Sequence, residues 1–240
     1  MKAFLLASGL GTRLRPITEE TPKCLVPING KPLLEYWLEN IFSSGVKECL
    51  INTHYLSEKV KNYLLNSKYK NDVTIIYEKK LIGTAGSLKK NIDFFENSCG
   101  LLIYADSFTT QNLGNFIDDS FLMPKECIMS MLTFECEDPS QAGIVKLNNE
   151  NVMLDFVEKP LSSKNKLANA GIFLMKREFI NYIKYLNKPI FDFSIDIIPK
   201  FKNKIFCIKT NDIFYDIGTL KNYNLVNSIL KKNLFNSKMQ

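Results

Sequence analysis

The chain has 240 residues, 45% of them hydrophobic and 23% charged, which is the composition of a folded globular protein and excludes whole-chain disorder. Its net charge of +6, from 31 basic and 25 acidic residues, is spread thinly. The densest clusters, Lys79-Lys80, Lys89-Lys90 and Lys231-Lys232, are too short for the basic stripe of a nucleic-acid binder, so no nucleic-acid partner is expected.

No apolar run reaches the roughly 18 residues of a membrane span, so no membrane partner is expected either. Six cysteines stand at 24, 49, 99, 127, 136 and 207 without a Cys-x-x-Cys pair, and His54 is the only histidine. That inventory disfavours a zinc site and any Ser-His-Asp or Cys-His nucleophile system. It leaves buried free thiols in a reducing cytoplasm as the expected state.

In chain order, residues 2–7 read as a strand that runs into the turn Ser8-Gly9-Leu10-Gly11. Within residues 32–44, Leu33, Leu34, Trp37, Leu38, Ile41 and Phe42 fall on one helical face. Pro32 suits the first turn of that helix and Gly45 its end. A strand at 48–52, a helix at 57–66, a strand at 73–77, a helix at 85–95 and a strand at 101–105 follow, the last ending at Asp106. Strands alternating with helices imply βαβ units and a mostly parallel sheet. Ligands of such sheets bind at the carboxyl ends of the strands, so the glycine turn and Asp106 belong to one edge.

The second half is less regular. Strands at 128–134, 143–147, 152–158 and 168–175 suggest antiparallel additions to the sheet. Helices at 177–184 and 193–201, strands at 205–209 and 213–215, and a helix at 221–231 complete the chain, with residues 236–240 fraying.

Glycines that follow a strand let backbone N–H groups approach phosphate oxygens. Gly9-Leu10-Gly11 alone is equally a plain tight turn. It is not a Walker A loop, and Leu14 stands where a dinucleotide fingerprint needs its third glycine. The longer string Gly9-Leu10-Gly11-Thr12-Arg13-Leu14-Arg15-Pro16, followed by Pro22-Lys23-Cys24-Leu25-Val26-Pro27-Ile28, is far more specific. It resembles the signature of the nucleotidylyltransferases that make nucleoside-diphosphate sugars, the sugar-phosphate pyrophosphorylases.

Further segments match that family in the same order: Leu81-Ile82-Gly83-Thr84-Ala85-Gly86, Tyr104-Ala105-Asp106, Val157-Glu158-Lys159-Pro160, Asn169-Ala170-Gly171 and Tyr215-Asp216-Ile217-Gly218-Thr219. Tyr104-Ala105-Asp106 departs from the usual Asn-Gly-Asp but keeps the carboxylate. The resemblance covers about residues 2–228 and implies a three-layer, Rossmann-like α/β fold with a mixed, mostly parallel sheet and no C-terminal β-helix. It also implies one domain over residues 1–235, with a nucleotide-binding part at about 1–110 and a sugar-phosphate-binding part at about 111–235.

The resemblance implies roles as well. Leu6, Ala7, Ser8, Gly9, Gly11, Thr12, Arg13, Lys23, Gly83, Thr84 and Asp106 would hold the nucleotide, and Arg13, Lys23 and Asp106 would be catalytic. Gly143, Glu158, Lys159 and Asn169 would hold the sugar phosphate. Asp106 and Asp216 would ligate Mg²⁺. The implied reaction joins a nucleoside triphosphate and a sugar 1-phosphate, with release of pyrophosphate.

Tyr104-Ala105-Asp106-Ser107 and the Phe191-Asp192-Phe193 region look most like bacterial mannose-1-phosphate and heptose-1-phosphate guanylyltransferase-like proteins, which favours GTP and a surface-polysaccharide precursor. Cytidylyl transfer to a small phosphorylated compound, thymidylyl or uridylyl transfer to glucose 1-phosphate, and a non-catalytic nucleotide-sugar sensor stay as alternatives. A homodimer is left open.

Overall fold

The computed structural model describes residues 1–237 except 97 and 190, with side chains as far as Lys232. The first half carries β1 (Lys2–Leu6), α1 (Ile17–Glu20), a small ribbon of β2 (Pro27–Ile28) and β3 (Lys31–Pro32), α2 (Leu33–Ser43), β4 (Glu48–Thr53), α3 (Ser57–Leu65), β5 (Val73–Tyr77), α4 (Gly83–Lys90), β6 (Gly100–Tyr104), β7 (Ser107–Thr109) and α5 (Leu113–Ser120). The second half carries β8 (Met129–Glu135), β9 (Gly143–Leu147), β10 (Met153–Glu158), β11 (Leu167–Met175), α6 (Arg177–Tyr185), β12 (Ile205–Lys209), β13 (Phe214–Asp216) and α7 (Leu220–Ser237).

The main sheet runs in the order β10-β9-β11-β6-β1-β4-β5, with β8 beside β11 and β12 beside β8. β6, β1, β4 and β5 are parallel, and β11 joins them antiparallel along β6. Leu6 lies opposite Asn52 on one side and Tyr104 on the other, so the carboxyl ends of these three strands are level.

Strand alternation builds a core on each face. Ala3, Leu5, Cys49 and Ile51 pack with Leu34 and Leu38 of α2 and Val60 of α3. Phe4, Leu50 and Leu102 pack on the other face with Ala85 and Leu88 of α4 and Phe179 and Ile183 of α6. This is the expected three-layer α/β arrangement, and none of the described residues forms a β-helix.

Some expected elements differ. The helix read at 85–95 stops at Lys90, and a 3₁₀ turn follows at Ile92–Phe95. The Asn91 side chain donates to the Ser87 carbonyl at 2.9 Å and takes the acceptor of the last turn. The helix read at 193–201 is a π turn, Phe193–Ile197, followed by a 3₁₀ turn, Ile198–Phe201. Pro199 lies in that second turn and has no N–H to continue an α-helix.

Neither β7 nor α5 was expected. α5 is capped by Asn112, whose side chain accepts the Asn115 N–H at 3.1 Å, and it buries Leu113, Phe116 and Ile117. α7 continues to Ser237, past the expected start of fraying, and residues 238–240 of that expectation lie outside the described residues. Among the described residues no helix is long and apolar enough to cross a membrane.

Candidate functional site

β1 ends in the glycine turn, and a buried polar residue of the neighbouring strand fixes its shape. Asn52, fully buried, accepts the Ala7 N–H at 2.7 Å and donates to Ser8 Oγ at 3.1 Å and Ser87 Oγ at 3.3 Å. Gly11 is left-handed, with φ +65°. A Cβ there would come within 2.9 Å of Thr18 Cγ2, and Thr18 Oγ1 donates to the Gly11 carbonyl at 2.6 Å. Thr12, Arg13 and Leu14 then form a 3₁₀ turn.

The opposite wall carries charge. β7 and β13 pair antiparallel with Ser107 opposite Asp216, and the Ile217 N–H donates to the Asp106 carbonyl at 2.8 Å. This ribbon brings together two acidic residues 110 positions apart. Lys23, buried to 8% exposure, sits between them, with Nζ 2.8 Å from Asp106 Oδ2 and 3.4 Å from Asp216 Oδ1. Arg13 Nη2 is 3.7 Å from Asp216 Oδ2. Gly218 leaves the room for this approach, because a Cβ there would stand 2.7 Å from Asp216 Oδ2 and 2.9 Å from Arg13 Nη2.

Burial, joined by the Asp106 charge, pushes the Asp216 carboxyl above the usual range, while Lys23 and Arg13 pull it down. Two oxygen-donor side chains that converge on one point, at Lys23 Nζ, suit a hard divalent cation that also takes substrate phosphates. Asp106 and Asp216 are the residues that would hold Mg²⁺.

Between the glycine turn and α4 lies a cleft of about 270 Å³. Of the expected nucleotide residues, Leu6, Ala7, Ser8, Gly9, Lys23, Gly83, Thr84 and Asp106 line it. Gly11, Thr12, Arg13 and Asp216 stand outside that lining, behind the turn or at its rim. Tyr104, Leu81 and Phe191 also line the cleft. The Tyr104 hydroxyl is buried without a hydrogen-bond partner among the described residues.

On the β9–β10 side, Gly143 lies opposite Glu158 in the antiparallel register. A Cβ on Gly143 would meet Glu158 Oε2 at 2.6 Å and Phe156 Cζ at 2.3 Å. Burial raises the Glu158 carboxyl. Lys159 opposes that shift, with Nζ 3.8 Å from Glu158 Oε1, and Asp192 adds to it. Lys159 has φ +46° and is exposed. Asn169 Oδ1 accepts the Gly171 N–H at 2.8 Å where β11 shifts register. None of these four expected sugar-phosphate residues lines the cleft itself.

Sequence reasoning passed over Asn52, Ser87 and Glu78. The signal for Asn52 was a polar residue at the end of the apolar strand Leu50-Ile51. Glu78 continues the β5 ladder by one step, its N–H donating to Thr53 O at 2.8 Å. Alternation places it with Ile76 on the α4 face. It is only 2% exposed, and both carboxylate oxygens lack a hydrogen-bond partner among the described residues.

His54 Nδ1 lies 2.7 Å from the Glu78 carbonyl, a structural contact. The six cysteines are free, and five are buried. Burial pushes the Cys24 thiol up to about 12, leaving it unreactive beside Lys23.

Comparison with known proteins agrees with this arrangement. A model of the nucleotidyl transferase family matches residues 2–233. A putative mannose-1-phosphate guanyltransferase of Sulfolobus acidocaldarius is 27% identical over 231 residues, 95% of this chain and 62% of that protein. The D-glycero-alpha-D-manno-heptose 1-phosphate guanylyltransferase of Campylobacter jejuni is 31% identical over 224 residues, 93% of this chain and 97% of that one. The chain thus spans less than two thirds of the Sulfolobus protein and nearly all of the Campylobacter protein. The crystal structure of HddC from Yersinia pseudotuberculosis superposes with a TM-score of 0.80 at 25% identity, over 95% of this chain and 99% of that one. A family match over nearly the whole length, on a fold shared with a solved structure, leaves one assignment: the chain belongs to the nucleotidyl transferase family.

Proposed function

We propose that this protein transfers a guanylyl group from GTP to a manno-configured sugar 1-phosphate, giving a GDP-sugar and pyrophosphate. A phosphate oxygen of the sugar phosphate attacks the α-phosphorus in line. The new P–O bond forms as the bond to the β-phosphate bridging oxygen breaks, and pyrophosphate leaves with that electron pair. No protein nucleophile takes part, so the work is positioning and charge stabilisation.

The turn from Ser8 to Arg13 and the Lys23 ammonium receive the triphosphate. Asp106 and Asp216 would hold Mg²⁺, which would supply counter-charge to the phosphates. Lys159 and Glu158 receive the acceptor, the lysine its phosphate and the carboxylate its hydroxyls. The nucleotide-binding and sugar-binding parts meet at Asp106.

The choice of guanine and of the manno configuration rests on the relatives named for mannose 1-phosphate and heptose 1-phosphate guanylyl transfer. Guanine differs from the other bases in presenting N1–H and the N2 amino group side by side. Uracil and thymine present one N–H, and cytosine and adenine present an amino group beside an acceptor.

The test is pyrophosphate release with Mg²⁺ across GTP, ITP, UTP, dTTP, CTP and ATP, each against mannose, heptose and glucose 1-phosphates. Turnover with GTP that weakens with ITP, which lacks the 2-amino group, supports the reading. Preferred turnover of UTP, dTTP or CTP overturns the base, and no turnover in any pair overturns the activity.

A further inference from the structure

The chain spends many hydrogen bonds on one short segment and leaves one of its two phenyl rings uncovered. The Phe191 carbonyl accepts the Ala85 N–H at 2.9 Å and the Gly86 N–H at 3.4 Å. The Phe191 and Asp192 N–H groups both donate to Asp196 Oδ2, at 2.7 and 2.8 Å. The Phe193 N–H donates to Thr84 Oγ1 at 2.8 Å. Gly83, at φ +77°, is shaped to admit this strap, since a Cβ there would lie 2.1 Å from the Phe191 carbonyl oxygen. Two residues on, Phe193 is fully buried. The Phe191 ring, by contrast, is 58% exposed and lines the cleft.

An aromatic ring whose backbone is fixed from both sides, while its face is left to solvent inside a binding cleft, is pre-organised for a ligand ring that presents an apolar face. The charged end of the cleft, at Lys23 and Asp106, suits phosphates, and the ring does not. The segment also faces the acceptor side. The Phe193 ring centroid lies 4.9 Å from that of Phe173 on β11, the Phe173 centroid lies 5.9 Å from that of Tyr104, and the Tyr104 ring packs where a Cβ on Gly171, two residues after Asn169, would stand, at 2.7 Å.

We propose that Phe191 is the platform on which the acceptor's sugar ring packs, C–H face against phenyl face. This rests on the sugar 1-phosphate acceptor proposed above. The nucleobase, the other substrate ring, is the competing partner, and the experiment separates the two.

The experiment is steady-state kinetics of the wild type, Phe191→Ala, Phe191→Leu and Phe191→Trp, with GTP, Mg²⁺ and mannose 1-phosphate, alongside Tm for each variant. Phe191→Ala raises the acceptor KM about tenfold, the scale of one aromatic packing interaction, and leaves the GTP KM and the Tm in place. Phe191→Trp restores the acceptor KM. Phe191→Leu keeps an apolar side chain without the π face and does not restore it, which also covers the case in which the alanine variant fails to fold. A rise in the GTP KM in place of the acceptor KM assigns the ring to the base and overturns the proposal, as does no change in either. Wild-type protein that makes no pyrophosphate from mannose, heptose or glucose 1-phosphate with any nucleotide fails the proposed function, and this inference with it. Wild-type turnover with an unmoved acceptor KM in Phe191→Ala overturns the inference alone.

Discussion

Lys23 Nζ stands 2.8 Å from Asp106 Oδ2 and 3.4 Å from Asp216 Oδ1, so one buried ammonium holds two carboxylates that stand 110 positions apart in the chain. Without a metal ion, Lys23 is the counter-charge of the pair. In the proposed reaction it is a fixed cation beside the phosphates. Lys23→Met keeps the stem and removes the charge. The expected result is a loss of kcat of about a hundredfold to a thousandfold, the scale of one transition-state charge contact. It should come with a further rise of the Asp216 carboxyl, checked by single-turnover kinetics and by carboxyl NMR titration.

The raised Asp216 carboxyl makes a stability prediction with a definite sign. A carboxyl whose folded pKa lies above its unfolded value binds its proton more tightly in the native state. Its charged form therefore weakens the fold at pH above the folded value, and that penalty fades as pH falls through the folded value towards the ordinary carboxylate range. Asp216→Asn should raise Tm at pH 7 in metal-free buffer, with the gain shrinking as the solution is acidified. The same substitution should abolish Mg²⁺-dependent turnover and remove the rise in Tm that Mg²⁺ with nucleotide gives the wild type. Thermal unfolding at pH 7 and pH 4, with and without Mg²⁺, checks both parts. An Asn variant that loses stability at pH 7 contradicts the sign.

The parallel strands were legible because the apolar runs at Ala3–Leu6 and Leu101–Ile103 and the glycine turn are local signals. The pairing of Asp106 with Asp216 was legible only through resemblance. In the fold it depends on β7 and β13, each three residues long, and strands so short carry no periodicity. α5 was missed although Leu113, Phe116 and Ile117 follow helical spacing behind Asn112, because the window is only eight residues long. Glu78 had no signal at all. A glutamate before Lys79-Lys80 reads as a solvated charge, and only the tertiary burial beside α4 makes it exceptional.

Gly83 tests how far the strap at Phe191 depends on the α4 entrance. Gly83→Ala forces a Cβ to within 2.1 Å of a backbone oxygen and keeps a φ of +77° that alanine resists. The strain amounts to about 1–3 kcal/mol, and the backbone carbonyl cannot yield as a side chain would. The expected outcome is a lower denaturant midpoint together with weaker binding in the cleft. If the variant binds GTP and acceptor as the wild type does, the strap is not part of the site.

Asn52 links the fold to the nucleotide turn in a way that substitution can separate. Asn52→Leu keeps the volume in a fully buried position but leaves the Ala7 N–H without its 2.7 Å acceptor and frees the Ser8 hydroxyl. An orphaned buried donor costs about 1–3 kcal/mol, so chemical denaturation should register a loss of that order. The turn from Ser8 to Gly11 then loses its anchor to β4, and because its amides are the groups proposed to receive the triphosphate, the nucleotide KM should rise while the acceptor KM stays. Asn52→Asp keeps an acceptor for Ala7 but replaces the amide donor with a carboxylate facing Ser8 and Ser87. Serine hydroxyls can rotate to donate to it, so part of the structural loss is recovered. The added negative charge behind the phosphate-binding turn still opposes the triphosphate. The asparagine position therefore acts on nucleotide binding through the turn if Asn52→Asp is more stable than Asn52→Leu yet binds GTP no better, and it acts on folding alone if both variants bind GTP as the wild type does.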